Sequence, residues 1–168
     1  MPKEFFSEPA RLRIVFKKKE SESSFTCYRP DGTATGQKSD GYFIGHDLRH
    51  YVVETTLGLN NAFYGMILRG WDIRDYGTPW PKGPMPEDAL PDLTYAEHLT
   101  GFLDREHITT HWTAEEVNYY LGMVCDEHGF ERLRISEETL TTIRETFNAL
   151  MKRWKALKPG ESLEFSFP

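Results

Sequence analysis

The chain has 168 residues, a net charge of −6 and 39% hydrophobic residues, which indicates a globular protein and excludes a disordered one. The negative charge argues against nucleic acid as a partner, because phosphate binding needs a concentrated basic surface. No apolar run reaches the length of a signal peptide or a membrane span, so we expect a cytoplasmic protein without membrane contact, with a single domain over residues 1–168.

The first forty residues predict an antiparallel meander of three strands. In RLRIVFKKK, the apolar Leu12, Ile14 and Phe16 alternate with their neighbours, which is typical of a strand with one buried face. SFTCYR alternates in the same way, and the RPDGT that follows predicts a turn in which Gly32 accepts a positive φ. TATGQK predicts a third, weaker strand.

Helical spacing begins at residue 44. IGHDLRHYVVETTLGL predicts a helix of about four turns that ends near Gly58, and AFYGMILRG predicts a shorter helix that ends near Gly70. The next segment, GTPWPKGPMPEDALPD, contains five prolines, which exclude regular structure. We expect residues 77–93 to form an ordered proline-rich loop or lid that packs on the body of the protein.

Two capping boxes predict the next two helices. Thr94 with Glu97 predicts a helix over residues 95–106, and Thr113 with Glu116 predicts another that begins at residue 114. Gly129 is suited to end the second helix.

A long helix and a strand complete the chain. Ser136 predicts the N-cap of a helix that continues to about Leu157 and carries one apolar stripe. SLEFSF then alternates and predicts a strand that returns to the N-terminal sheet. The predicted fold class is α+β, with a small antiparallel sheet packed against four or five helices.

The segment GHDLRHYVVE carries the most informative chemical pattern. His46 and His50 are four residues apart, so both lie on one stripe of the predicted helix, with Glu54 one turn further along and Asp47 at the flank. Histidines with this spacing commonly place two nitrogens on one metal ion. We therefore predict that His46 and His50 are metal ligands, with zinc as the first choice of ion because imidazole nitrogen suits it and iron or nickel as alternatives.

The two acids of this helix are predicted to serve a metal in different ways. Glu54 lies about 12 Å from His46 along the helix axis, so we expect it first as an outer-shell partner or base and second as a third ligand. Asp47 occupies the position at which HExxH proteins carry their general base, although aspartate is shorter by one methylene.

A third ligand could also come from elsewhere in the chain. His107 and His111 repeat the four-residue spacing and are the histidine candidates for this role. Carboxylates between residues 97 and 128 are further candidates, although the capping box already gives Glu97 a structural role.

Two short resemblances accompany this pattern. HDxxH is similar to the zincin motif and also resembles the HDxxH motif of a metal-binding family in coenzyme Q biosynthesis, both of which imply metal binding by His46 and His50. The latter family adds a glutamate twelve positions after the second histidine, where this chain has Ala62. HDLRHYVVETTLG together with GWDI resembles a bacterial family of small proteins without an assigned activity, which implies a folded domain.

Two functions from different classes follow from these patterns. The first is a metal-binding protein with the activity of a zinc-dependent hydrolase, acting on an unknown small molecule or protein. The alternative is a non-catalytic protein-interaction module in which His46 and His50 are structural. The oligomeric state is left open.

Overall fold

Four strands and five helices make up the parts of the chain that a computed structural model describes, residues 10–39, 41–73, 85–106 and 111–168. This α+β architecture is the one predicted. In chain order the elements are β1 Leu12–Lys17, β2 Ser23–Tyr28, β3 Ala34–Ser39, α1 Gly41–Leu57, α2 Phe63–Leu68, α3 Leu90–Leu103, α4 Ala114–His128, α5 Glu137–Ala156 and β4 Ser162–Phe167.

The strands form one antiparallel sheet in the order β3-β2-β1-β4. β4 pairs along β1 with Leu12 opposite Phe167, which confirms the predicted return of the last strand to the N-terminal meander. The predicted buried face of β1 is also confirmed, because Leu12, Ile14 and Phe16 are completely buried.

Helix α1 lies between two hydrophobic clusters. Its Leu48 packs with the buried residues of the sheet, whereas Val52 and Val53 pack with residues of α3, α4 and α5. Burial of each such side chain stabilises the fold by about 1.5–3 kcal/mol. Helix α1 is therefore buried between the two clusters, and the polar side chains that it carries are held on a fixed support.

The start of α3 differs from the prediction. The helix begins at Leu90 rather than at residue 95, so residues 90–93 are helical and do not belong to the proline-rich loop. Pro91 is compatible with the first helical turn, because its missing N–H would have no partner there. Thr94 therefore lies inside the helix, and the predicted capping box of Thr94 and Glu97 is wrong. Residues 77–84 of the predicted lid lie outside the described residues.

Helices α4 and α5 follow the predictions closely. The hydroxyl of Thr113 accepts from the N–H of Glu116, whose carboxylate accepts in turn from the N–H of Thr113. Gly129 ends α4 with φ 71°, in the left-handed region that favours glycine. Ser136 is the N-cap of α5.

Cys27 and Cys125 are free and buried. Burial raises the pKa of the Cys27 thiol well above its ordinary value, which keeps it protonated. Among the described residues, no helix is both long and apolar enough to cross a membrane.

Candidate metal centre

Helices α1 and α3 bring three possible metal ligands together. His46 and His50 of α1 and Glu97 of α3 each offer one donor atom, and these three atoms lie within 4.8 Å of one another. Nε2 of His50 is 3.5 Å from Oε1 of Glu97. Because Glu97 lies within α3 and does not cap it, its carboxylate can face the histidines.

Each histidine ring has a carboxylate at its Nδ1 atom. Nδ1 of His46 is 2.6 Å from Oδ2 of Asp104, and Nδ1 of His50 is 3.0 Å from Oε1 of Glu54. An Nδ1–H that donates to a carboxylate leaves Nε2 of each ring as the metal-binding nitrogen. Histidines that bind metals almost always have such a carboxylate or carbonyl partner, which fixes the tautomer and the ring orientation.

Glu54 is fixed in place by further hydrogen bonds. It is completely buried, and its carboxylate accepts from the backbone N–H groups of Phe63 and Tyr64 at 3.2 and 3.0 Å. Both of its oxygens are therefore occupied, on the Nδ1 side of His50. This position matches that of an outer-shell partner of His50.

Asp104 is held equally firmly behind His46. Nε of Arg49 donates to Oδ1 of Asp104 at 2.7 Å, and the Arg49 guanidinium lies 3.7 Å from the centre of the Phe147 ring. Burial would raise the pKa of Asp104, but its hydrogen bonds with His46 and Arg49 outweigh burial and lower it. Asp104 is therefore a carboxylate at neutral pH.

The pKa values of His50 and Glu97 shift in opposite directions, which favours a protonated imidazole beside a carboxylate. Burial would lower the pKa of His50, but its interactions with Glu54 and Glu97 outweigh burial and raise it. Burial would raise the pKa of Glu97, but its hydrogen bond with His50 outweighs burial and lowers it. The position between His50 and Glu97 thus favours positive charge, and a metal cation bound there would replace the proton.

Asp47 has an unsatisfied oxygen beside the three candidate ligands. The residue is 7% exposed, and its Oδ2 is buried without a hydrogen-bond partner among the described residues. Burial raises the pKa of Asp47 to about 6. A buried polar atom without a partner costs about 1–3 kcal/mol, so an unsatisfied carboxylate beside a ligand cluster indicates a place for a bound group.

A cavity of about 280 Å³ opens next to the ligands. The three ligands and Asp47 form its polar side, Phe43, Phe63 and Ile73 form its apolar side, and Gln37 lies at the rim. Asp47 and His50 are buried, whereas Phe43 is half-exposed. Because Phe43 is exposed, the cavity reaches the surface of the protein.

The sequence-predicted site residues divide into two groups. The four predicted residues of α1 lie together: His46, Asp47 and His50 line the cavity, and Glu54 lies directly behind His50. His111, by contrast, is 74% exposed and pairs with Glu106, and His107 lies outside the described residues. Glu97 supplies the third donor, although the capping pattern had explained it differently. Asp104 was missed, because its contact with a residue 58 positions earlier leaves no local sequence signal.

Comparison of the chain with protein-family models, curated proteins and solved structures finds no match. The resemblances of the HDxxH segment stay predictions. What the site can do follows from its own geometry: two imidazoles and a carboxylate form a group that could hold a metal ion.

Proposed function

We propose that this protein binds zinc through His46, His50 and Glu97 and acts as a zinc-dependent hydrolase. The observation that carries the proposal is the cluster of these three donors, in which both histidines also have a carboxylate at Nδ1. Two histidines and one glutamate are a known ligand set of catalytic zinc sites, which keep a fourth position for water or substrate. Zinc in such a site lowers the pKa of the bound water and polarises a substrate carbonyl.

Zinc binding would require the donors to move closer together. Zinc bonds to nitrogen and oxygen are about 2.0–2.2 Å long, so two donors in a tetrahedral site are about 3.3–3.6 Å apart. The donors here spread to 4.8 Å. The Glu97 side chain is 54% exposed, so its rotation can bring the carboxylate closer to the two fixed rings.

Of the two acids predicted as the general base, Asp47 is a better candidate than Glu54. Glu54 has both oxygens occupied by His50 and backbone N–H groups, whereas Asp47 lines the cavity and has an oxygen without a hydrogen-bond partner in the described part of the chain. Asp47 would accept a proton from water as the water attacks the substrate, and would return it to the leaving group. Glu54 and Asp104 would orient the histidines.

Metal analysis of the purified full-length chain tests the proposal. After dialysis against zinc, we expect about one equivalent per chain in the wild type and a large loss in His46→Ala and Glu97→Gln, because one coordinating atom is removed in each. These two residues are partly exposed, so the variants should fold; circular dichroism checks this.

His111→Ala is the matched control, because it removes an exposed histidine that is absent from the cluster. Its zinc content should equal that of the wild type. Far less than one equivalent in the wild type, or equal zinc content in all the variants, would overturn the proposal.

The alternative, a non-catalytic interaction module, is supported by a different surface. Tyr119 and Met123 are 74% and 56% exposed on α4 and are one helical turn apart. Exposed apolar side chains at this spacing are typical of helices that contact a partner protein. This function predicts that chelators leave the melting temperature unchanged, and that Tyr119→Ala removes partner binding while His46→Ala does not.

A further inference from the structure

The groups around the cavity restrict the kind of molecule that could bind beside the metal. Its polar wall contains two carboxylates, Asp47 and Glu97, and behind the histidines lie two more, Glu54 and Asp104. Among the described residues that line the cavity there is no lysine or arginine. Arg49, a cation of α1 near this group, is bound to Asp104.

The charges can be summed for a loaded site. A divalent cation contributes +2 and Arg49 +1, whereas Asp47, Glu54, Glu97 and Asp104 each contribute −1, which leaves a sum of −1. Apart from the metal itself, an anionic substrate such as a phosphate ester would meet carboxylates and no cationic side chain among the described residues that line the cavity. Like charges placed side by side disfavour binding by several kcal/mol, so the site discriminates against anions.

The rest of the cavity suits a neutral acyl compound. Phe43, Phe63 and Ile73 provide an apolar wall for a small hydrocarbon group. The Gln37 side chain at the rim carries an amide N–H₂ that can donate to a carbonyl oxygen. The volume of about 280 Å³ is just below the usual range for small-molecule sites, roughly 300–1,000 Å³, so the part of the substrate that enters must be small.

We propose that the substrate is a small neutral amide or ester with an apolar acyl group, and not a phosphate ester. This inference rests on the proposed function. In the reaction, the water oxygen bonds to the carbonyl carbon while Asp47 takes one of its protons. The bond from that carbon to the nitrogen or oxygen of the leaving group then breaks, and the proton passes from Asp47 to the leaving group. The products are a carboxylic acid and an amine or alcohol.

Binding of two matched probes to the full-length chain loaded with cobalt(II) tests the proposal without measuring turnover. Benzohydroxamic acid is an acyl compound that is neutral in solution and binds a metal as its monoanion, whereas phenylphosphonate carries up to two negative charges; both have the same phenyl group. Each is titrated, and its dissociation constant follows from the change in the visible absorption of the cobalt. Relative to the affinity of each probe for free cobalt(II), we expect the hydroxamic acid to bind at least about tenfold more tightly, a difference of about 1.4 kcal/mol.

Two rim variants test whether the charge and the apolar wall cause this preference. Gln37→Lys adds a cation at the exposed rim and should tighten phenylphosphonate binding, whereas Thr141→Lys adds the same charge at an exposed position on α5 that does not line the cavity and should not. Phe43→Ala should weaken benzohydroxamic acid more than acetohydroxamic acid, because only the former carries a ring.

The possible outcomes separate this inference from the proposed function. If the chain takes up neither zinc nor cobalt, the proposed function and the proposed substrate class are both overturned. If the metal binds but phenylphosphonate binds as tightly as benzohydroxamic acid, or neither probe binds, only the proposed substrate class is overturned. Equal effects of Gln37→Lys and Thr141→Lys would also overturn it, because the cavity would then not be responsible for the discrimination.

Discussion

Asp104 lies at the Nδ1 atom of His46, and Glu54 lies at the Nδ1 atom of His50. Only Glu54 could be identified from the sequence. Glu54 follows His50 by one helical turn, so helix periodicity alone predicts that the two side chains meet. Their Nδ1–Oε1 distance of 3.0 Å agrees with this. Asp104 contacts His46 only because α3 packs along α1. No local sequence pattern predicts this packing.

The carboxylate of Asp104 should be needed for tight metal binding. We expect Asp104→Asn to weaken zinc binding by about 10–100-fold, because a neutral amide supports the imidazole less well and no longer pairs with Arg49. Competition with a chromogenic chelator measures the affinity. Asp126→Asn, which removes an exposed carboxylate paired with Arg132, is the control. Equal affinity of the two variants would contradict a role for Asp104 in the site.

At the scale of the secondary-structure elements, α3 is where prediction and structure differ most. Thr94 and Glu97 satisfy the capping-box pattern, as do Thr113 and Glu116, yet only the second pair caps a helix. The pattern describes local hydrogen bonds that a helix start can form, whereas packing of the residues before it decides where the helix starts. Here Ala89 and Leu93 are buried with Met66, which favours an earlier start.

Alanine substitutions distinguish the two threonines. Thr113→Ala should lower the free energy of unfolding by about 1 kcal/mol, because the N–H of Glu116 loses its acceptor. Thr94→Ala should have little effect or a slightly favourable one, because alanine has the higher helix propensity. Urea unfolding measures both. An equal loss of stability in the two variants would mean that Thr94 also caps a helix.

An ion pair that connects α3 to α5 should make stability depend on pH. Glu106, which follows α3, accepts from Nε of Arg144 at 3.0 Å. Burial would raise the pKa of Glu106, but Arg144 outweighs burial and lowers it below the ordinary value. The stabilisation is therefore present above the unfolded-state pKa of about 4.3 and is lost as the pH falls through the lower pKa of the folded state.

Glu106→Gln is the variant that detects this dependence. Its unfolding free energy should lie below that of the wild type at pH 7, and the difference should shrink as the pH falls from 5 towards 3. Glu164→Gln, which affects an exposed pair with Arg13, should show a much smaller difference at pH 7. A difference for Glu106→Gln that stays constant over this range would exclude the ion pair as its cause.

At the scale of the whole molecule, the candidate site lies where the two hydrophobic clusters meet. Helix α1 contributes Leu48 to the sheet cluster and Val52 to the helical cluster, and the histidines lie on the same helix. A metal held by α1 and α3 would connect these two helices. Metal binding and global stability should therefore be coupled.

Zinc should raise the melting temperature of the protein. At a free zinc concentration of about 100 times Kd, binding to the folded state adds about 2.7 kcal/mol, or roughly 5–10 °C for a chain of this size. Differential scanning calorimetry with zinc and with a chelator measures the shift. His46→Ala should show no shift, whereas His111→Ala should behave as the wild type. An equal shift in His46→Ala would place the zinc elsewhere.

The sequence by itself determined the strands, most of the helix bounds and the shared position of His46 and His50, the candidate ligand pair, on α1. Alternation, capping residues and four-residue spacing are local properties, and they are sufficient wherever neighbouring residues decide the structure. Only the tertiary structure decided what lies opposite His46 and His50. Glu97 and Asp104 come from another helix, and their approach depends on how α3 packs against α1, which results from burial over the whole chain.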